Sequence, residues 1–126
     1  MLKRIALLLA TSTLALGLSG TALADAGTVM RVIVVKTDDV SAYMHELDKG
    51  KAIMKRLGIT ATLHVWRGTF AGADAGTVVV SQEYPSNQAF ADGFVKSQAD
   101  KEMSDWIKGL AKIRTIVSDS LYQGLY

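Results

Sequence analysis

The sequence contains no cysteine and a single proline in 126 residues. Without cysteine the chain has neither disulfide bonds nor thiol chemistry. It also has no tract rich in serine or proline of the kind that links separate domains. The chain is therefore predicted to hold one folded domain whose core is built from apolar side chains, which supply 49% of the sequence.

The first 24 residues differ from the rest of the chain. Lys3 and Arg4 precede a mostly apolar run, Ile5 to Leu18, which is too short and wrongly flanked for a membrane span. Ala22 and Ala24 then form a small-x-small cleavage pattern. We predict a secretory signal peptide over residues 1–24, followed by a domain of residues 25–126 in the periplasm or outside the cell. The alternative is an uncleaved amphipathic anchor.

The slight excess of positive charge belongs to this leader. The whole chain has 14 basic and 12 acidic residues, and the leader holds two of the basic ones, so that 12 of each remain. A neutral domain without a basic cluster is a poor candidate for binding nucleic acid or anionic membranes. No segment after residue 24 is long and apolar enough to span a bilayer. We therefore predict neither nucleic acid nor membrane as a partner of the mature domain.

The hexapeptide ADAGTV occurs twice, and each copy leads into a run of β-branched residues. Glycine followed by such a run is typical of a turn that opens a strand. Either an ancient duplication or chance reuse of a glycine turn explains the two copies, and we favour chance. Four segments are predicted as strands: Thr28–Lys36, Ile59–Phe70, Thr77–Tyr84 and Ser118–Tyr126.

Two regions between these strands have helical spacing of apolar residues. The first begins after Asp38 and Asp39, which are good N-cap residues, and ends at Gly58. Within it, Gly50 is predicted to allow close contact between helix and sheet. The second runs from Asn87 to about residue 113 and loses phase near residues 97–100, where Asp100 is placed to cap a second piece.

The resulting order, β-α-β-β-α-β, predicts an α+β, ferredoxin-like fold. In that fold a four-stranded antiparallel sheet carries both helical regions on one face, and here the second helix is kinked. The second strand supports this arrangement because its residues alternate. Ile59, Ala61, Leu63 and Val65 are expected to face the helices, whereas the opposite face carries Thr60, Thr62, His64 and Trp66.

The segment VVVSQEYPSNQAFADGFVKSQADKEMSDWIKGL resembles the dimeric α/β barrel superfamily, which includes NIPSNAP-like proteins and the small monooxygenases of antibiotic biosynthesis. The resemblance implies a homodimer in which two sheets face each other across a barrel-like core, with the helices outside. It also implies room for a small ligand between sheet and helices. The haem-degrading branch holds iron through a histidine of the second helical region, and residues 86–115 contain none.

Five residues are predicted to bind a ligand: Arg31, His64, Trp66, Glu83 and Tyr122. His64 is the best catalytic candidate, although we favour a hydrogen-bonded histidine in a core or dimer interface. Arg31 interrupts an apolar strand and needs a carboxylate, for which Glu83 is the predicted mate. An ion pair within the sheet or between subunits is favoured over an anion clamp.

Other aromatic residues have two interpretations. Tyr84, Tyr122 and Tyr126 either place hydroxyl groups near a cavity or pack at strand ends. An apolar stripe in the second helical region is predicted as core, with a pocket wall as the alternative. Its members are Phe90, Phe94, Met103 and Trp106.

Several chemistries lack their motifs. His45 and Glu46 are not followed by a second histidine at zinc-protease spacing, and there is no phosphate loop, dinucleotide fingerprint or serine-hydrolase elbow. We predict no metal and no cofactor. The remaining hypothesis is an exported dimer that binds a small, partly apolar molecule between sheet and helices or at the dimer interface. The alternative is a cofactor-independent monooxygenase or isomerase.

Overall fold

A computed structural model describes residues 27–125 of the chain. The predicted signal peptide and Tyr126 lie outside these residues. The described part contains four strands and three α-helices: β1 (Val29–Lys36), α1 (Val40–Arg56), β2 (Thr62–Arg67), β3 (Val78–Tyr84), α2 (Asn87–Ala99), α3 (Lys101–Leu110) and β4 (Thr115–Gln123). A short 3-10 turn, Gly72–Asp74, lies between β2 and β3.

The four strands form one antiparallel sheet in the order β2-β3-β1-β4. β1 and β3 are central, and β2 and β4 are the edges. The helices pack against one face of the sheet, where the buried apolar side chains of strands and helices meet. The predicted ferredoxin-like α+β fold is therefore confirmed.

Short polar side chains set the beginnings of the three helices. The Asp39 carboxylate accepts a hydrogen bond of 2.9 Å from the backbone N–H of Ala42 at the start of α1. Ser86 caps α2 in the same way. Asp100 caps α3 by accepting from the Met103 N–H at 2.9 Å. The predicted break in the second helical region is confirmed, since α2 ends at Ala99 and α3 begins at Lys101.

Two strands begin at other residues than predicted, and both also end earlier, β2 at Arg67 rather than Phe70 and β4 at Gln123 rather than Tyr126. β2 begins at Thr62 rather than Ile59, because the Ile59 N–H donates to the Met54 carbonyl at the end of α1. β4 begins at Thr115 rather than Ser118, and these extra residues pair with the end of β1 beyond a register shift between Val34 and Val35. In both places a local bond to a neighbouring element decides the boundary.

The repeated glycine has the same role in both copies of ADAGTV. Gly27 precedes β1 with φ of +107°, and Gly76 precedes β3 with φ of +82°. These backbone conformations are rare for residues with a side chain, so glycine is the residue that fits. In both copies the described glycine thus leads directly into a strand, as predicted; residues 24–26 of the first copy lie outside the described residues.

The core consists of two clusters that meet at Trp106. Gly50 was predicted to allow close contact between α1 and the sheet, and this was wrong. A Cβ at this position would overlap the Trp106 ring, so the close contact joins α1 to α3. The Trp106 indole N–H also donates to the Glu46 carbonyl at 3.0 Å. These contacts hold the two helices against each other.

The predicted faces of β2 are confirmed. Leu63 and Val65 pack against the core under the helices. His64 and Trp66 lie on the opposite face of the sheet, which no helix covers in the described chain and which we call the open face. Within residues 27–125, no helix combines the length and the apolar composition that crossing a bilayer requires.

Candidate functional site

A cavity of about 240 Å³ lies between the helix-covered face of the sheet and the three helices. Larger hollows, such as the one between residues 36–39 and 111–115, are wide open to solvent, whereas this cavity is more enclosed. Five aromatic side chains contribute to its wall: Tyr43, Tyr84, Phe90, Phe94 and Trp106. A partly enclosed site with a largely apolar lining and a few polar groups is typical of a small-molecule pocket.

The helical apolar stripe forms one side of this wall. The Phe90 ring meets Tyr84 edge to face at 5.2 Å between centroids and lies 6.2 Å from Phe94. Phe94 is 49% exposed, so it stands at the mouth, whereas Met103 is buried in the core as predicted. All four residues of the stripe line the cavity, so the pocket-wall alternative also describes them.

Arg31 of β1 reaches the cavity and is held there by a carboxylate. Its Nε and Nη2 atoms donate to the two carboxylate oxygens of Asp119 on β4, at 2.9 and 2.5 Å. The predicted pairing with Glu83 was wrong. Glu83 lies opposite Met30 in the sheet register and therefore on the open face, whereas Arg31 lies opposite Gln82.

The paired charges stabilise each other. The hydrogen bond from Arg31 holds the pKa of Asp119 below its ordinary value, although partial burial acts against this. The same bond raises the pKa of Arg31. Both groups are therefore charged at neutral pH, and the pair contributes no net charge to the cavity.

A second arginine enters the cavity from the segment between α3 and β4. Arg114 Nη1 donates to the Tyr43 hydroxyl at 2.9 Å, and the guanidinium carbon lies 5.7 Å from the centroid of the same ring. Tyr43 is fully buried. The sequence interpretation missed both residues as site candidates. The sequence offered one indication: Tyr43 belongs to the apolar stripe of α1, and a buried tyrosine hydroxyl requires a hydrogen-bond partner.

Tyr84 supplies a second hydroxyl group near the end of β3. It donates to Gln82 Oε1 at 3.1 Å, and both side chains line the cavity. Burial raises the pKa of Tyr84, while the charge of Arg31 acts in the opposite direction. The phenol is therefore protonated at neutral pH and available for hydrogen bonding.

The structure separates the five residues predicted to bind a ligand. Arg31 lines the cavity, whereas His64, Trp66, Glu83 and Tyr122 belong to the open face. There the His64 and Trp66 rings are 5.9 Å apart, and the Trp66 N–H donates to Ser81 Oγ at 3.0 Å. The predicted residues thus belong to two surfaces on opposite sides of one sheet.

The described residues provide no cluster suited to a metal ion. Between residues 27 and 125, no three histidine, aspartate or glutamate side chains lie close enough together to hold one. The cavity wall itself contains arginine, glutamine, serine and tyrosine as its polar residues. Its chemistry is therefore that of hydrogen bonding and positive charge.

The fold is shared with several solved structures. SnoaB, a cofactor-independent oxygenase from Streptomyces nogalater, is 14% identical with a TM-score of 0.61, over 80% of this chain and 96% of SnoaB. This chain has the ferredoxin-like fold of SnoaB. A NIPSNAP family protein from Agrobacterium tumefaciens is 15% identical with a TM-score of 0.57, over 78% of this chain and 91% of that one. The resemblance noted in the sequence is thus confirmed at the level of the fold.

A third structure of this kind is a conserved protein of unknown function from Bacteroides thetaiotaomicron, described as a possible oxidoreductase. It is 3% identical with a TM-score of 0.57, over 78% of this chain and 98% of that one. No protein-family model and no curated protein matches the sequence. At these identities the likeness is one of fold alone.

Proposed function

We propose that this chain is an exported protein that binds a small, partly apolar molecule in the cavity between sheet and helices, and that it does so as a homodimer. The observation that carries the proposal is the partly enclosed cavity with five aromatic side chains and a few polar groups in its wall. Its volume of about 240 Å³ is below the roughly 300 Å³ at which pockets for drug-sized ligands begin. The ligand is therefore small, on the scale of one or two fused rings.

The proposed export depends on the leader of residues 1–24, with its short basic start, apolar run and small-residue cleavage pattern. Mass spectrometry of the protein from a periplasmic or culture fraction measures where the chain begins. We expect the chain to start at Asp25. A chain that retains the leader and stays with the membrane fraction contradicts export.

The binding proposal is tested with 2-naphthol as a neutral aromatic probe in isothermal titration calorimetry. Ser97 lines the cavity from α2, so Ser97→Phe is expected to fill the cavity and abolish binding. Ala91→Phe is the matched control, because it adds the same ring at an exposed position of the same helix. Equal binding by the two variants, or none by the wild-type protein, contradicts the proposal.

The homodimer is supported by the open face. Met30, Trp66 and Tyr122 remain 38%, 58% and 54% exposed there. A second copy packed face to face would remove these side chains from water. Trp66→Lys is expected to convert a dimer into monomers in sedimentation velocity. Val95→Lys, at an exposed position of α2 away from the open face, is the control that is expected to leave the dimer intact. A monomeric wild-type protein refutes this part of the proposal.

A cofactor-independent oxygenase is the second candidate, favoured by the structural likeness to SnoaB. The cavity wall contains no histidine or carboxylate among the described residues, which favours binding over this chemistry. The two candidates differ in whether oxygen is consumed with an electron-rich phenol such as 2-naphthol. Because His64 lies on the open face and outside the cavity wall, an enzyme that uses it would act at that face. Oxygen uptake that is lost in a His64→Ala dimer supports the enzyme, and binding without oxygen uptake supports the binding protein.

A further inference from the structure

The charges beside the cavity do not balance. Arg31 and Arg114 both line it, and Asp119 binds Arg31 through both of its oxygens. Among residues 27–125, no carboxylate lies within ion-pair distance of Arg114. Asp119 also attracts Arg114 electrostatically but forms its direct ion pair with Arg31. The two arginines and one carboxylate therefore leave a net charge of one positive beside the cavity.

The Arg114 guanidinium is held in one orientation, but not all of its hydrogen-bond donors have partners in the described chain. Tyr43 accepts from Nη1, and this contact fixes the group against the buried ring. A guanidinium has five N–H donors in a planar fork that matches a carboxylate. The remaining donors of Arg114 have no partner among the described side chains. Because Arg114 is only partly exposed, its electrostatic attraction for an anion is stronger there than in open water.

The rest of the wall determines what must be attached to that anion. Aromatic rings from α2 and α3 lie across the same cavity, and their faces suit a flat apolar body. We propose that the ligand is a small aromatic carboxylic acid whose carboxylate binds Arg114 and whose ring packs between Phe94 and Trp106. This inference rests on the proposed function of the cavity and specifies its ligand class.

The test compares two probes of the same shape, 2-naphthoate and its neutral amide 2-naphthamide, by isothermal titration calorimetry at pH 7. Wild-type protein is expected to bind the acid about tenfold more tightly, because a charge-assisted hydrogen bond is roughly twice as strong as a neutral one. Arg114→Gln is expected to weaken acid binding about tenfold more than amide binding, so that the two probes bind this variant equally well. Arg67→Gln removes the same charge at an exposed position outside the cavity and is expected to change neither.

The outcomes separate this inference from the function on which it rests. Equal affinity for acid and amide in the wild-type protein overturns the carboxylate inference and leaves the binding cavity standing. Binding of neither probe overturns both. An acid preference that persists in Arg114→Gln also overturns the inference, because the anion then binds elsewhere. Arg114→Lys retains the charge without the planar fork, so it is expected to keep part of the preference and gives a second measure of the same contact.

Discussion

The two faces of the sheet come from the same four strands but have different surroundings. On the covered face, Val29, Ile33 and Val35 of β1 are at most 6% exposed beneath the helices. On the open face, Met30 from the same strand is 38% exposed and lies beside Tyr122 of β4. Alternation along a strand thus gives two half-apolar surfaces, and the helices of this chain complete one of them.

The functional proposals follow from this difference. The covered face has a partly enclosed cavity because three helices stand over it. The open face exposes apolar side chains, which the proposed second copy would remove from water. Each face also contains one tryptophan whose N–H is hydrogen-bonded, Trp106 on the covered side and Trp66 on the open side. Replacing each of the two tryptophans with alanine therefore compares the same substitution on the two faces.

The largest effect is expected from removing these rings. Trp106→Ala is expected to lower the free energy of unfolding by about 3 kcal/mol, because Trp106 joins the two core clusters and fills the space beside Gly50. Trp66→Ala is expected to cost about 1 kcal/mol at low protein concentration, since 58% of that side chain is already exposed. Urea denaturation of both variants measures the difference.

The concentration dependence of the same measurement sharpens the comparison. If the open face is a dimer interface, the cost of Trp66→Ala increases with protein concentration, whereas that of Trp106→Ala does not. Equal costs for the two variants at every concentration contradict the distinction between the faces.

A somewhat smaller effect is expected at the helix contact above the covered face. Gly50→Ala adds a methyl group against the Trp106 ring and is expected to destabilise the fold by about 2 kcal/mol. Alanine is otherwise the better helix former, so Gly109→Ala in α3, where a Cβ meets nothing within 4 Å, is expected to stabilise it by about 0.5 kcal/mol. Thermal unfolding of the two variants should therefore shift in opposite directions. If the unfolding temperature rises in both variants, the Trp106 side chain moves aside for the added methyl group at little cost.

The smallest effect concerns the ion pair at the edge of the cavity. The pKa of Asp119 is lowered in the folded state, so its contribution is present above the unfolded value near 3.9 and is lost as the pH falls through the folded value. Asp119→Asn is expected to cost about 0.5–1 kcal/mol at pH 7, because the pair is about one-third exposed. The difference from wild type should shrink between about pH 5 and 2. A constant difference over that range indicates that Arg31 does not depend on the charge of Asp119.

Local patterns in the sequence determined the elements and their faces. Asp39 and Asp100 predicted helix starts because an N-cap bond spans three residues. The alternation from Ile59 to Trp66 predicted which side of β2 meets the helices, since successive side chains of a strand point to opposite faces. Such signals depend on neighbours along the chain, and they were sufficient to predict the ferredoxin-like order.

The tertiary structure decided the contents of the cavity. Arg31 meets Asp119 across 88 residues, and Arg114 meets Tyr43 across 71. These pairs depend on the register between β1 and β4, which includes a shift between Val34 and Val35, and on how α1 lies over the sheet. No local pattern encodes that register, because it results from the packing of the whole domain. The sequence by itself therefore determined a two-faced sheet with capped helices. Only the folded chain brought Arg114, hydrogen-bonded to Tyr43 but in no direct ion pair among the described residues, into an aromatic cavity.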